Sequence, residues 1–202
     1  MNLTFWIVAS YLLGSMPTSY LVGRLFASKD LRQLGSKNLG ATNVYRVLGL
    51  KYAIPVGLVD IAKGIIPVSV FARYAGSEPW MPITLGSIAV FGHVFSVFVR
   101  FRGGKGVATA SGVVLALAPK AFLVSLVVWV AAVTFTGYVS IASILAALVF
   151  PVAARFVLPD DVYTFGMGLI LAAFIVFTHR TNIRRLALGT ENRFGKWRVG
   201  AS

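Results

Sequence analysis

Three polar segments interrupt an otherwise apolar chain, and each is built from residue types that hold anions. The most concentrated is FRGGKGVATASG, residues 101–112, where Gly103, Gly104 and Gly106 bracket Lys105 at the end of an apolar run. Glycine forgoes side-chain packing and loses the most chain entropy on folding, so three around one lysine imply a backbone that must approach something closely. Backbone N–H groups from such a turn, the N-terminus of the helix that follows and the lysine ammonium aim at one point, as in a site for phosphate or a similar anion. A nucleotide P-loop is not matched, because Gly106 follows Lys105 and no soluble strand precedes the glycines. The plainer reading is a tight inter-helix turn whose basic residues mark a cytoplasmic loop.

Two further segments offer hydrogen-bonding groups on what the charge pattern makes the same side. GSKNLGATNVYR, residues 35–46, carries Ser36, Asn38, Thr42, Asn43 and Arg46 with Gly35 and Gly40, a poor packing sequence and a good anion cradle. HRTNIRRLALGTE, residues 179–191, supplies His179, Asn182 and Glu191 where the last apolar segment ends. Elsewhere, Asp60 and Lys63 are three apart and neutralise each other on one helix face. His93 reads as a helix-packing residue and Glu191 as the partner of an arginine. Ser140 and Ser143 share a face, and Ser143 lines either a pocket or a small-residue helix contact. The absence of cysteine excludes disulfides, thiolate catalysis and thiolate metal sites.

The elements that position these groups must be membrane helices. The 202 residues are 57% hydrophobic and 12% charged, with a mean hydropathy of +0.82, far from the balance of a soluble domain. Apolar segments are expected at residues 3–25, 53–73, 80–99, 107–136, 138–157 and 162–178. The first has no basic stretch before it and no small-residue cleavage site after it, so it reads as retained. A formal charge of +13 without long basic runs points to anionic headgroups or substrates and away from nucleic acid.

Most of the 19 lysines and arginines fall at residues 29–51, 100–105 and 180–198, which places these segments in the cytoplasm. The 100–106 loop and the tail then share a side, so an even number of spans lies between them. Splitting 107–136 at Pro119 and Lys120 satisfies that parity, since proline breaks helix interiors and a lysine at mid-bilayer costs about 2.5–3.5 kcal/mol. The expectation is an all-α polytopic protein of seven transmembrane helices, N-terminus outside and C-terminus cytoplasmic. No repeat or linker is evident, so residues 1–202 read as one domain. Trp6, Trp80 and Trp197 are expected as interface anchors.

In order along the chain, GSMPTSYLVGR, GSKNLGATNVYR, GHVFSVFVRFRGGKGVAT and HRTNIRRLALGTE resemble the signatures of the bacterial acyl-phosphate-dependent glycerol-3-phosphate acyltransferases, the PlsY family. The resemblance implies transfer of an acyl group from acyl phosphate to the 1-hydroxyl of glycerol 3-phosphate, giving lysophosphatidate and inorganic phosphate, at the bacterial inner membrane with the site facing the cytoplasm. It implies no cofactor or metal, and a soluble acyl-phosphate-forming enzyme as partner. Matched motif by motif, Ser36, Arg46, Lys105, His179 and Asn182 take catalytic roles. Thr42, Asn43, Gly103, Gly104 and Gly106 bind substrate, with Ser143 added from its helix face. The hydroxyl proton goes to His179 or to an acyl phosphate oxygen, the second being favoured. Two other classes are weighed. A transporter or channel for a phosphorylated anion normally places its site at midplane between repeats. An acyl-CoA or acyl-carrier-protein acyltransferase carries an H-x-x-x-x-D pattern, which neither histidine meets, since Phe98 follows His93 by five and Arg184 follows His179 by five.

Overall fold

The structure, a computed structural model, describes residues 2–194; Lys196, Trp197 and Arg198 lie outside the described residues. Every regular element among the described residues is helical. The chain forms two compact units, which meet in sequence between Leu117 and Ala118.

The first unit contains α1 (Leu3–Ser15), α2 (Thr18–Ala27), α3 (Ala41–Leu48), α4 (Leu50–Ile66), α5 (Ala72–Ala75), α6 (Met81–Val94) and α7 (Val107–Leu117). A π-helical turn, Pro67–Phe71, makes α4 and α5 continuous, and a 3-10 turn, Val97–Val99, follows α6. The second unit contains α8 (Pro119–Thr136), α9 (Val139–Val157), α10 (Val162–Thr178) and α11 (Arg180–Ala187).

Four helical stretches, Leu50–Ala75, Met81–Val99, Pro119–Thr136 and Val139–Val157, are long and apolar enough to cross a membrane. The bent pairs α1 with α2 and α10 with α11 bring the number to six if each is one span. The seventh expected span corresponds to α7, whose 11 residues reach about 16 Å at 1.5 Å per residue, short of the hydrocarbon core. The expected division of 107–136 is present. Ala118 is non-helical, with φ −142° and ψ 69°, and Pro119 opens α8 at the position where its missing N–H costs no hydrogen bond.

One expectation is corrected. Residues 3–25 are not a single helix: α1 stops at Ser15 and α2 leaves at 42° to it. Pro17 has no N–H for Leu13 and its ring would strike that carbonyl, so the Leu13 oxygen instead takes the Met16 N–H at 3.3 Å.

Lipid tails are as apolar as leucine, so membrane helices gain little by hiding aliphatic side chains from one another and rely on close approach. A β-carbon on Gly64 would strike the Thr109 carbonyl, and one on Gly112 the Ile61 carbonyl, so α4 and α7 cross backbone to backbone. Gly14 and Gly92 allow the same between α1 and α6, against Ala89 and Tyr11. Trp6 is not an exposed anchor. It is half-buried, with ring centroids 5.1 Å from Phe71 and 5.8 Å from Tyr74. Trp80, before α6, is 37% exposed. In the second unit α8 and α9 form a helical hairpin turning at Gly137, whose φ is +75°, and Gly168 of α10 packs on Phe150 and Pro151 of α9.

Gly64→Ala should therefore destabilise the protein by about 1–3 kcal/mol, because neither backbone can move aside cheaply. Gly166→Ala, where a β-carbon meets nothing within 4 Å, should leave stability unchanged or raise it by up to about 1 kcal/mol. Thermal denaturation of both variants in one detergent checks the pair; equal melting temperatures would contradict the packing described.

Candidate active site

In the first unit the segment 35–46 is held from within. Asn43 is 1% exposed. Its Oδ1 accepts the Ser36 N–H at 2.8 Å, and its Nδ2 donates to the carbonyls of Leu31 and Leu34 at 3.2 and 3.1 Å. Both amide protons are thereby committed to the loop, so the side chain expected to bind substrate acts here as a brace that shapes residues 31–36. Thr42 and Arg46 lie one turn apart on α3 and share a face that is only partly buried. The loop enters through Asp30, whose carboxylate takes Arg32 at 2.7 Å and Arg24 at 3.1 Å. The hydrogen bond from Arg32 holds the Asp30 pKa down at about 2.

The glycine loop differs from expectation in what its glycines approach. Gly103 N–H donates to the Val94 carbonyl at 3.0 Å and Gly104 N–H to the His93 carbonyl at 3.1 Å. A β-carbon on Gly103 would strike the His93 carbonyl, and one on Gly104 the His93 Nε2. These two amides close the C-terminal end of α6, and the two glycines are there because the loop lies flat on that helix end. Gly106, with φ +84°, turns the chain into α7, whose first intrahelical bond runs from Ala110 N–H to the Gly106 carbonyl. Lys105 is half-buried beside the N-terminus of α7, where helix N–H groups without intrahelical partners favour negative charge.

Packing joins these two segments. Leu39, Val44 and Val99 are buried in one cluster with Leu31, Ala53 and Val56. Leu39, Gly103 and Gly104 also line one small cleft with Met16, Thr18, His93 and Ser96. With a cavity volume of about 10 Å3 it has room for no more than a water molecule, far below the roughly 300–1,000 Å3 of a small-molecule pocket. It is a polar floor under the loops.

Beneath it is a cluster read only in part from the sequence. Asp60 and Lys63 pair as expected, Oδ1 to Nζ at 2.6 Å, both essentially inaccessible. Lys63 also donates to the Met16 carbonyl and the Thr18 hydroxyl, and Thr18 donates to Asp60 at 3.1 Å. His93, expected as a packing residue, is buried with Nδ1 3.9 Å from Asp60 Oδ1. No role for Thr18 is read from the sequence, although it lies in the signature segment GSMPTSYLVGR and in a polar run, SMPTS, inside an apolar span.

The second unit holds the remaining predicted residues. His179 is 3% exposed between α10 and α11, with Nδ1 2.8 Å from the Ile175 carbonyl. A carbonyl only accepts, so Nδ1 carries a proton. Asn182 donates through Nδ2 to Glu191 Oε1 at 2.7 Å. Glu191 also accepts from Ser140 at 3.2 Å and from Arg185 Nε at 2.7 Å, so its expected arginine partner is present. Ser143 donates to the Val139 carbonyl at 2.8 Å and accepts from Trp129 Nε1 at 3.3 Å, a helix-contact role.

Comparison with known proteins adds an independent finding. The family model described as glycerol-3-phosphate acyltransferase matches residues 4–189. A glycerol-3-phosphate acyltransferase of Fusobacterium nucleatum is 43% identical over 189 residues, covering 94% of this chain and 96% of that one. One from Chlorobaculum parvum is 44% identical over 223 residues, with 94% and 96% covered. Crystal structures of PlsY (YgiH), an integral membrane glycerol 3-phosphate acyltransferase, superpose with TM-scores of 0.89 for the glycerol 3-phosphate form and 0.86 for the lysophosphatidic acid form. Their identities are 41% and 39%, with 96% and 98% of this chain and 96% and 97% of theirs covered.

The Glu191 contacts generate a pH test. Burial pushes its carboxyl up, but Arg185, Asn182 and Ser140 together outweigh that and leave it below the ordinary value. A lowered folded-state pKa stabilises the fold above the unfolded value, about 4.3, and that stabilisation is lost as pH falls through the folded one. Glu191→Gln should cost about 1–2 kcal/mol at pH 7, discounted for the partly exposed Arg185, and should flatten the loss of melting temperature below about pH 5. Superimposable melting curves against pH for the two proteins would refute it.

Proposed function

The chain belongs to the glycerol-3-phosphate acyltransferase family, and from that premise we propose that it moves a fatty acyl group from acyl phosphate to the 1-hydroxyl of glycerol 3-phosphate. The observation that carries this reading is the meeting of two cationic polar segments, one bearing Arg46 and the other Lys105, at one cleft, where Leu39 of the first lies with Gly103 and Gly104 of the second. Both substrates of such a reaction are phosphate anions, and nothing but cations and oriented donors can hold them together.

Lys105 and the N-terminus of α7 neutralise phosphate, and Arg46 offers a planar fork for a second set of phosphate oxygens, with Ser36 and Thr42 orienting the substrate. The hydroxyl oxygen attacks the acyl carbonyl carbon, a C–O ester bond forms, and the bond from acyl carbon to phosphate oxygen breaks. The hydroxyl proton passes to an oxygen of the departing phosphate, so the products are lysophosphatidate and inorganic phosphate. That leaving group is already stable as an anion and needs little acid help. The same motifs assign His179 and Asn182 to the reaction, with His179 positioned by its bond to Ile175. The reading treats residues 1–202 as one catalytic domain of the bacterial inner membrane, needing no cofactor and supplied by a soluble enzyme that makes acyl phosphate.

Purified protein in detergent, given glycerol 3-phosphate with either acyl phosphate or acyl-CoA, should release phosphate and form lysophosphatidate with the first donor only. Equal turnover with acyl-CoA would overturn the choice of donor. The reading also keeps seven membrane crossings with the N-terminus outside. Single cysteines at Lys37 and Lys105, in a chain that has none, should be labelled by impermeant reagent from the cytoplasmic face of vesicles; labelling of position 105 from outside alone would refute this topology.

A further inference from the structure

We propose that His93, packed beside the buried Asp60–Lys63 pair, is a positioning residue for substrate phosphate. Its ring is the floor on which Gly104 rests, and it sets the height of the loop that presents Lys105. The inference rests on the assignment of Lys105 to substrate phosphate.

Several observations converge on it. His93 meets the loop twice, through its carbonyl, which takes the Gly104 N–H at 3.1 Å, and through its ring, whose Nε2 occupies the space a Gly104 β-carbon would need. Lys105 is the next residue, so any settling of Gly104 moves its Cα directly. The opposite edge of the ring faces Asp60, with Nδ1 3.9 Å from Oδ1, and Asp60 cannot drift because Lys63 and Thr18 hold that same oxygen. Lys63 in turn grips the Met16 carbonyl and Thr18 hydroxyl at the break between α1 and α2. The ring thus packs between the loop and a carboxylate that is itself held in place.

Buried pairs are often replaced without loss by packed apolar residues, and Asp60 additionally leaves Oδ2 buried without a hydrogen bond. A requirement that one ring be kept at one height under the glycine loop gives the charged cluster a second purpose beside its contacts at the helix break. It also explains the glycine at 104, since any side chain there would collide with the ring.

The test is a double-mutant cycle in purified enzyme, read as KM for glycerol 3-phosphate, kcat and melting temperature on monodisperse protein. His93→Ala and Gly104→Ala should each raise KM about 10- to 100-fold with kcat within about threefold, because a misplaced cation weakens ground state and transition state alike. The double variant should be no worse than His93→Ala alone, since the collision disappears with the ring. His93→Gln, which keeps a polar group under the loop, should recover much of the affinity and serves if His93→Ala does not fold. Asp60→Asn with Lys63→Met removes both charges together and should shift KM in the same direction. If His93→Ala, or His93→Gln in its place, lowers only melting temperature or kcat, or if the two effects on KM multiply, the proposal is overturned. Lys105→Ala separates this from the premise: normal KM and turnover in that variant would remove the phosphate assignment itself, whereas impaired Lys105→Ala beside an unaffected His93→Ala would remove only the role of His93.

Discussion

A lysine ammonium away from water must place all three of its protons, and Lys63 places them on the Asp60 carboxylate, the Thr18 hydroxyl and the Met16 carbonyl. The first unit is organised around that requirement. Met16 follows α1, where unsatisfied carbonyls favour a cation, and Thr18 begins α2, where unsatisfied N–H groups favour an anion. A continuous helix over residues 3–25 would offer neither. The break created by Pro17 therefore leaves the Met16 carbonyl open to Lys63, and the ion pair finds there and at the Thr18 hydroxyl the partners that make its burial tolerable. Two further bonds at the break involve Ser15. Its hydroxyl donates to the Gly92 carbonyl at 3.2 Å, and its carbonyl accepts from Ser96, which fastens the break to the end of α6.

From that end the glycine loop departs, and its glycines serve two different needs. Gly103 and Gly104 let the chain lie against the last carbonyls of α6 and over the His93 ring, the same close approach that brings α4 to α7. Gly106 supplies a left-handed turn that no β-carbon would adopt comfortably. Arg100 and Phe101 also have positive φ, at 57° and 59°, so the turn is tight before the glycines are reached. Lys105 is left as the one cation between a glycine seated on the helix and a glycine turning into the next, which limits where its ammonium can reach.

The second unit solves a comparable problem with a carboxylate. Glu191 is 8% exposed and accepts from Ser140, Asn182 and Arg185, so a residue beyond α11 ties the start of α9 to α11. Arg193 Nε donates to the Tyr138 hydroxyl at 3.1 Å and Phe194 N–H to the Gly137 carbonyl at 2.6 Å, which continues the attachment along the α8–α9 corner. Asn182 and His179 thereby sit on a short helix whose orientation is fixed from its far side.

By itself the sequence determined what depends on local chemistry. The ends of the apolar stretches follow from hydropathy, the division at Ala118 from a proline and a lysine in a stretch too long for one span, and the Asp60–Lys63 pair from three-residue spacing on a helix. The polar segments were legible for the same reason, since glycines, asparagines and arginines stand out among aliphatic residues. Only the tertiary structure decided what those groups touch. Asn43 reads as a ligand until its amide is seen to close on Leu31, Leu34 and Ser36. Gly104 reads as part of an anion cradle until His93, eleven residues earlier, is found beneath it. Pro17 breaks the helix by local sterics, but that Lys63 from another helix meets the Met16 carbonyl beside it is seen only in the fold. A hydrogen bond needs its partner within about 3 Å, and in a helical membrane protein that partner is set by how helices cross, which no single stretch of chain encodes.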